Sequence, residues 1–141
     1  MRNLDRIVTA MKDVERYFKE LGEIKRDSNY LDSYVNFHAS SMLCLALINR
    51  ALDIGGEMLV DKAVSMPARY QDIFKELAKE GVIDQKLGQY LQELAKYRNY
   101  LSHEYFGLDK KKLTKIIGLV YSINDFVERV KKILTKEANL K

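Results

Sequence analysis

The residue pattern predicts an all-α fold, an antiparallel bundle of four to five helices. Three observations carry this. Apolar residues recur at three- and four-residue steps through most of the 141 positions, the spacing of one helix face. No segment shows the period-two alternation of a half-buried strand. One proline and no Ser- or Gly-rich linker leave a single domain, residues 1–141, with short connections.

The first helix is expected over about Leu4 to Ile24, where Leu4, Ile7, Val8, Met11, Val14, Phe18 and Leu21 share one face. Asp27-Ser28-Asn29 offers capping side chains for a second helix, about Leu31 to Val60. That helix is apolar nearly all round, through Tyr34, Val35, Phe37, Met42, Leu43, Leu45, Ile48, Leu52 and Ile54. Such a helix is central or is shared with another subunit. Gly55-Gly56 is a candidate site for a kink in it or for its fraying. Pro67 and Gly81 bracket a short third helix, as a first-turn proline and a C-terminal glycine would. Asp84 is the expected cap of a fourth, and Gly107-Leu108-Asp109 reads as a turn plus the cap of a fifth that runs through Leu134.

Composition narrows the function. Hydrophobic residues make up 47% of the chain, enough for a core. No run approaches the roughly 18–20 apolar residues of a membrane span, and the first residues lack the apolar centre of a signal peptide. The single cysteine, Cys44, lies in an apolar run and reads as a buried, inert thiol. A cytoplasmic protein without membrane attachment is expected. A net charge of +4 permits contact with nucleic acid without demanding it, and a protein that coats nucleic acid would carry a stronger basic stripe.

The segment Arg98-Asn99-Tyr100-Leu101-Ser102-His103-Glu104-Tyr105 stands out. Arginine holds a permanent charge on a forked donor set suited to phosphate. Histidine exchanges a proton near neutral pH. Together they are a minimal kit for cleaving a phosphodiester without a metal. Neutral His103 takes the proton of an RNA 2′-hydroxyl, Arg98 stabilises charge on the non-bridging oxygens, and Asn99 orients His103 or donates to phosphate. Five residues apart, Arg98 and His103 differ by about 140° around an ideal helix. A helix that ends near Ser102, a groove wrapping the helix end, or a dimer would each bring them to one phosphate. By spacing alone the triplet is also compatible with an exposed arginine and a helix-terminal histidine capping carbonyls.

The motif has company. Ala51-Leu52-Asp53-Ile54-Gly55-Gly56, Met66-Pro67-Ala68-Arg69-Tyr70-Gln71-Asp72-Ile73-Phe74, Gly81-Val82-Ile83 and Tyr97 through Tyr105 with Leu108-Asp109 occur in that order. From about Ile7 to Phe126 the chain resembles the HEPN superfamily, and more closely its HepT-like branch. The resemblance implies a metal-independent endoribonuclease toxin acting as a homodimer on RNA. It also implies a minimal nucleotidyltransferase antitoxin as partner. Carried over, Arg98 and His103 are catalytic, Asn99 is their polar helper, and Tyr105 is the tyrosine that receives AMP. Bulky anionic AMP beside the site would block it and compete for Arg98.

Other residues leave choices open. Asp53 either pairs with Arg50 on the second helix, or orients Arg98 or lines its groove. Lys110-Lys111-Lys112 and Lys115 are either a solvated helix start or contacts for RNA phosphates or an acidic partner. Tyr97 and Tyr100 stack on bases or pack into the core or an interface. His38 and Cys44 have no metal-ligand company at helical spacing, so no metal and no cofactor are expected. The alternative function is a non-catalytic bundle that binds a nucleotide or serves a minimal nucleotidyltransferase as partner subunit. A weaker third is a purely structural dimer.

Overall fold

The computed structural model describes residues 2–103 and 107–140, and among these it contains α-helices, a short 3-10 turn at Tyr30–Asp32 and no strand. The helices are α1 Leu4–Ile24, α2 Tyr34–Leu59, α3 Tyr70–Lys79, α4 Gln85–His103, α5 Lys110–Val120 and α6 Ser122–Asn139. α5 and α6 are one rod interrupted at Tyr121, where the Ser122 hydroxyl donates to the Leu119 carbonyl at 2.6 Å. The apolar period runs unbroken across the interruption, so the sequence reads there as a single fifth helix.

Caps explain most boundaries. The Asn3 side chain accepts from the Arg6 amide at 3.0 Å, Asp84 from Leu87 at 2.7 Å, and Asp109 from Lys112 at 2.8 Å. The start of α2 differs from expectation. Asp27 accepts from the Asn29 amide and closes a turn, Tyr30–Asp32 forms the 3-10 turn, and Ser33 is the cap, accepting from Asn36 at 3.2 Å. Pro67 lies outside α3, which begins three residues later behind Arg69. Arg69 is held to Asp72 by two hydrogen bonds, which keep the Asp72 carboxyl below its usual range. Gly81, at φ +77°, ends α3. Its amide donates to Ala78 and the Val82 amide to Leu77, the paired bonds of a left-handed helix terminus.

α2 is the centre of the bundle and touches every other helix. Its Cys44, Leu47, Ile48, Ala51, Ile54 and Met58 are buried among Ile7 and Val14 of α1, Phe74 and Leu77 of α3, Leu91 and Leu94 of α4, and the buried faces of α5 and α6. Leu4 and Val8 of α1 sit at the edge of the buried stripe and remain exposed. The helix continues through Gly55-Gly56 to Leu59. Gly55 lets α3 approach: a Cβ there would lie 2.9 Å from Ile73 Cγ2. Phe74 meets Phe126 edge-on at 5.5 Å and joins α3 to α6. The first half of α2 is different, for Tyr34, Val35 and Met42 project outward, 79%, 71% and 55% exposed. No helix among the described residues is long and apolar enough to cross a membrane.

Candidate active site

The last turns of α4 carry the motif. Arg98 is half-buried and held from three sides. Its Nε donates to Asn49 Oδ1 of α2 at 3.1 Å, its Nη1 lies 3.4 Å from Asn99 Oδ1, and its guanidinium stacks 4.5 Å from the centre of the Tyr70 ring at the start of α3. Three helices thus fix one side chain, and among the described residues no hydrogen bond takes up its Nη2, a donor suited to an anion. His103 is exposed, in the last described turn of α4. Ser102 folds its hydroxyl back onto the carbonyls of Arg98 and Asn99, at 2.9 and 3.3 Å, and occupies acceptors of this last turn. α4 runs helical through His103, so Arg98 and His103 keep their angular offset of about 140°.

Asn99 is exposed beside Arg98, with its side-chain oxygen turned to that guanidinium. Tyr105 lies outside the described residues. Asp53 does not orient Arg98. It is bound to Arg50 and Arg6, each at 3.2 Å, and Glu57 adds a second contact to Arg6 at 3.4 Å. These pairs fasten α1 to the outer side of α2. Asn49, one turn before Asp53, supplies the polar group that meets Arg98.

Of the lysines after the motif, Lys110, Lys111 and Lys115 are exposed and Lys112 is half-buried, and three of the four have partners. Lys110 pairs with Asp32 at 2.6 Å, Lys112 reaches the Tyr100 hydroxyl at 3.3 Å, and Lys115 pairs with Glu93 at 3.1 Å. Lys111 is exposed. Tyr97 and Tyr100 pack edge-on at 6.4 Å and line a groove between α4 and α5. No three His, Cys, Asp or Glu side chains gather to hold a metal among the described residues. Sequence reasoning missed Asn49 and Tyr70 as partners of Arg98. The polar stripe Asn49–Asp53–Glu57 was the one available signal for the former.

A family model for HepT-like ribonucleases, described as "Ribonuclease HepT-like", matches residues 7–133. The chain belongs to the HepT-like family. YutE of Bacillus subtilis (strain 168), named as a candidate RNase, is 32% identical over 92 residues, which are 64% of this chain and 64% of that protein. The solved structure of YutE superposes with a TM-score of 0.83 at 25% identity, covering 96% of this chain and 93% of that one. A tri-AMPylated Shewanella oneidensis HEPN toxin in complex with its MNT antitoxin superposes with a TM-score of 0.82 at 18% identity, covering 91% and 98%. A toxin–antitoxin complex with AMP-PNP gives 0.83 at 17%, with the same coverage. These last two likenesses establish that the HepT-like chain has the HEPN toxin fold.

Proposed function

We propose that this HepT-like protein is a metal-independent endoribonuclease toxin whose catalytic pair is Arg98 and His103. The observation that carries the proposal is the anchoring of Arg98 by Asn49 and Tyr70 on the helix that exposes His103 five residues later. Neutral His103 removes the proton from an RNA 2′-hydroxyl. The 2′-oxygen attacks the adjacent phosphorus, Arg98 neutralises charge on the non-bridging oxygens, and the 5′-oxygen departs with a proton. The products are a 2′,3′-cyclic phosphate and a 5′-hydroxyl. DNA lacks the attacking group. Asn99 holds the guanidinium from the solvent side, and Lys110, Lys111 and Lys112 supply positive charge to the RNA backbone.

The functional unit is a homodimer. Val35, Ala39, Met42, Ala46 and Asn49 follow at steps of three and four along α2, so they form one seam. Its outward apolar end leads directly to the residue that holds Arg98. A second copy docked along this seam brings two motifs together, so that one histidine acts as base and the other as acid. The control partner is a minimal nucleotidyltransferase antitoxin, by analogy with the AMPylated Shewanella toxin. It transfers AMP from ATP to the Tyr105 hydroxyl and releases pyrophosphate, and the added phosphate competes for Arg98.

The test is incubation with RNA in EDTA, wild type beside Arg98→Ala and His103→Ala, with intact mass read on the same samples to detect AMP. Cleavage by unmodified wild type and none by either variant is expected. Activity that survives His103→Ala removes this residue from the chemistry. Intact RNA together with AMP or ATP bound at the motif would favour the non-catalytic partner-subunit reading.

A further inference from the structure

A groove of about 650 Å³ lies between α4 and α5, lined by Gln89, Gln92, Lys96, Tyr97, Tyr100 and Lys112. We propose that it is an extended subsite for single-stranded RNA, seating nucleotides next to the scissile phosphate on the His103 side. In naming RNA as the ligand, this rests on the ribonuclease reading above.

Register places the groove. Gln89, Gln92, Lys96, Tyr100 and His103 follow at steps of three and four, so they fall on one stripe of α4 that ends at the histidine. Arg98 lies about 140° round the helix from His103, outside that stripe. A strand in the groove therefore approaches the catalytic pair from the base, leaving the arginine to grip the phosphate from the other flank. From Gln89 to Tyr100 the helix rises about 16 Å, enough for more than one nucleotide.

Chemistry names the class of ligand. The two tyrosines present aromatic surface at the deep end, where bases can stack irrespective of sequence. Lys112 holds its ammonium 4.7 Å from the Tyr100 ring centre, and Lys96 is exposed along the stripe, so cations flank the rings. Gln89 offers an amide that both donates and accepts, as base edges require, and Gln92, whose Nε2 donates to the Gly88 carbonyl at 3.0 Å, offers its side-chain oxygen. The one carboxylate, Glu93, is paired with Lys115 and does not repel a phosphate with its full charge. Aromatic faces, amides and excess lysine in a single channel match a single strand better than they match the apolar anchors of a protein contact.

The experiment measures binding of a mixed-sequence 2′-O-methyl 12-mer, which cannot be cleaved by 2′-attack, to the full chain by fluorescence anisotropy. Lys96→Glu and Tyr100→Ala are expected to weaken binding about tenfold or more, in line with one lost stacking or phosphate contact. Lys132→Glu on α6 makes the same charge change far from the groove and should leave binding within about twofold. Thermal melts confirm folding, and the exposed Lys96 keeps the test valid if Tyr100→Ala is unstable. Equal affinity for wild type and Lys96→Glu overturns the subsite, as does an equal loss in Lys132→Glu. Cleavage of the all-ribose 12-mer by wild type is scored separately. Groove-dependent binding without cleavage would overturn the ribonuclease reading and leave the subsite standing.

Discussion

Arg98 Nε donates to Asn49 Oδ1 across the α2–α4 contact at 3.1 Å, tying the proposed phosphate-binding side chain to the central helix. A hydrogen bond to a charged group contributes about 1.5–3 kcal/mol. Asn49→Ala is therefore expected to lower RNA cleavage at least about tenfold, each tenfold corresponding to about 1.4 kcal/mol, and to lower the melting temperature by several degrees, about 2–8 °C per kcal/mol lost. Parallel rate and melting measurements check this. A lower melting temperature with an unchanged rate would mean that Asn49 serves packing alone.

Tyr70 holds the other face of the guanidinium. Stacking of this kind contributes about 0.5–1 kcal/mol at an exposed site. Tyr70→Phe should preserve cleavage, and Tyr70→Ala should reduce it about two- to fivefold, by the same magnitude. Steady-state rates on one RNA substrate compare the three proteins. If Tyr70→Phe falls as far as Tyr70→Ala, the hydroxyl and not the ring is the operative part.

Asp53 faces Arg6 and Arg50 instead of the motif. Asp53→Asn is expected to leave cleavage within about twofold and to reduce stability by no more than about 1 kcal/mol, the range for partly exposed ion pairs. Urea unfolding beside a cleavage assay decides it. A selective loss of activity would return Asp53 to the site.

Cys44 is fully buried, and burial pushes its thiol up to about 12. The native thiol is thus neutral at pH 8 and should resist alkylation, reacting only when urea unfolds the chain. The sign for stability follows. Because the folded value is raised, the contribution of this group is fully present below the unfolded value near 9 and is lost as pH rises towards 12. Timed mass spectrometry with iodoacetamide checks the first statement. Rapid labelling of folded protein would contradict it.

Much of the fold is legible because its signals are local. Asp84, Gly81 and Asp109 act through amides within a few residues of themselves, and each stands where its residue type predicts. Ser33 took the role expected of Asp27-Ser28-Asn29 because a 3-10 turn intervenes, and several capping residues in a row do not say which one is used. The site was less legible. Arg98 and His103 announce their chemistry by type, but Asn49 and Tyr70 become partners of Arg98 only once α2, α3 and α4 have packed. Asn49 shares a polar stripe with Asp53 and Glu57, but neither that stripe nor a tyrosine at a helix start names an arginine elsewhere as its partner.

Gly55 and Gly56 are neighbours with opposite surroundings. A Cβ at Gly56 meets nothing within 4 Å, whereas one at Gly55 meets the branched, stiff side chain of Ile73 at 2.9 Å. Ile73 lies one turn beyond Tyr70 on α3, so the missing methyl group at position 55 lets the helix that carries the stacking ring lie close against α2. Sequence drift is thus open at one glycine of the pair and closed at the other, and the closed position supports the site from a residue that never touches it.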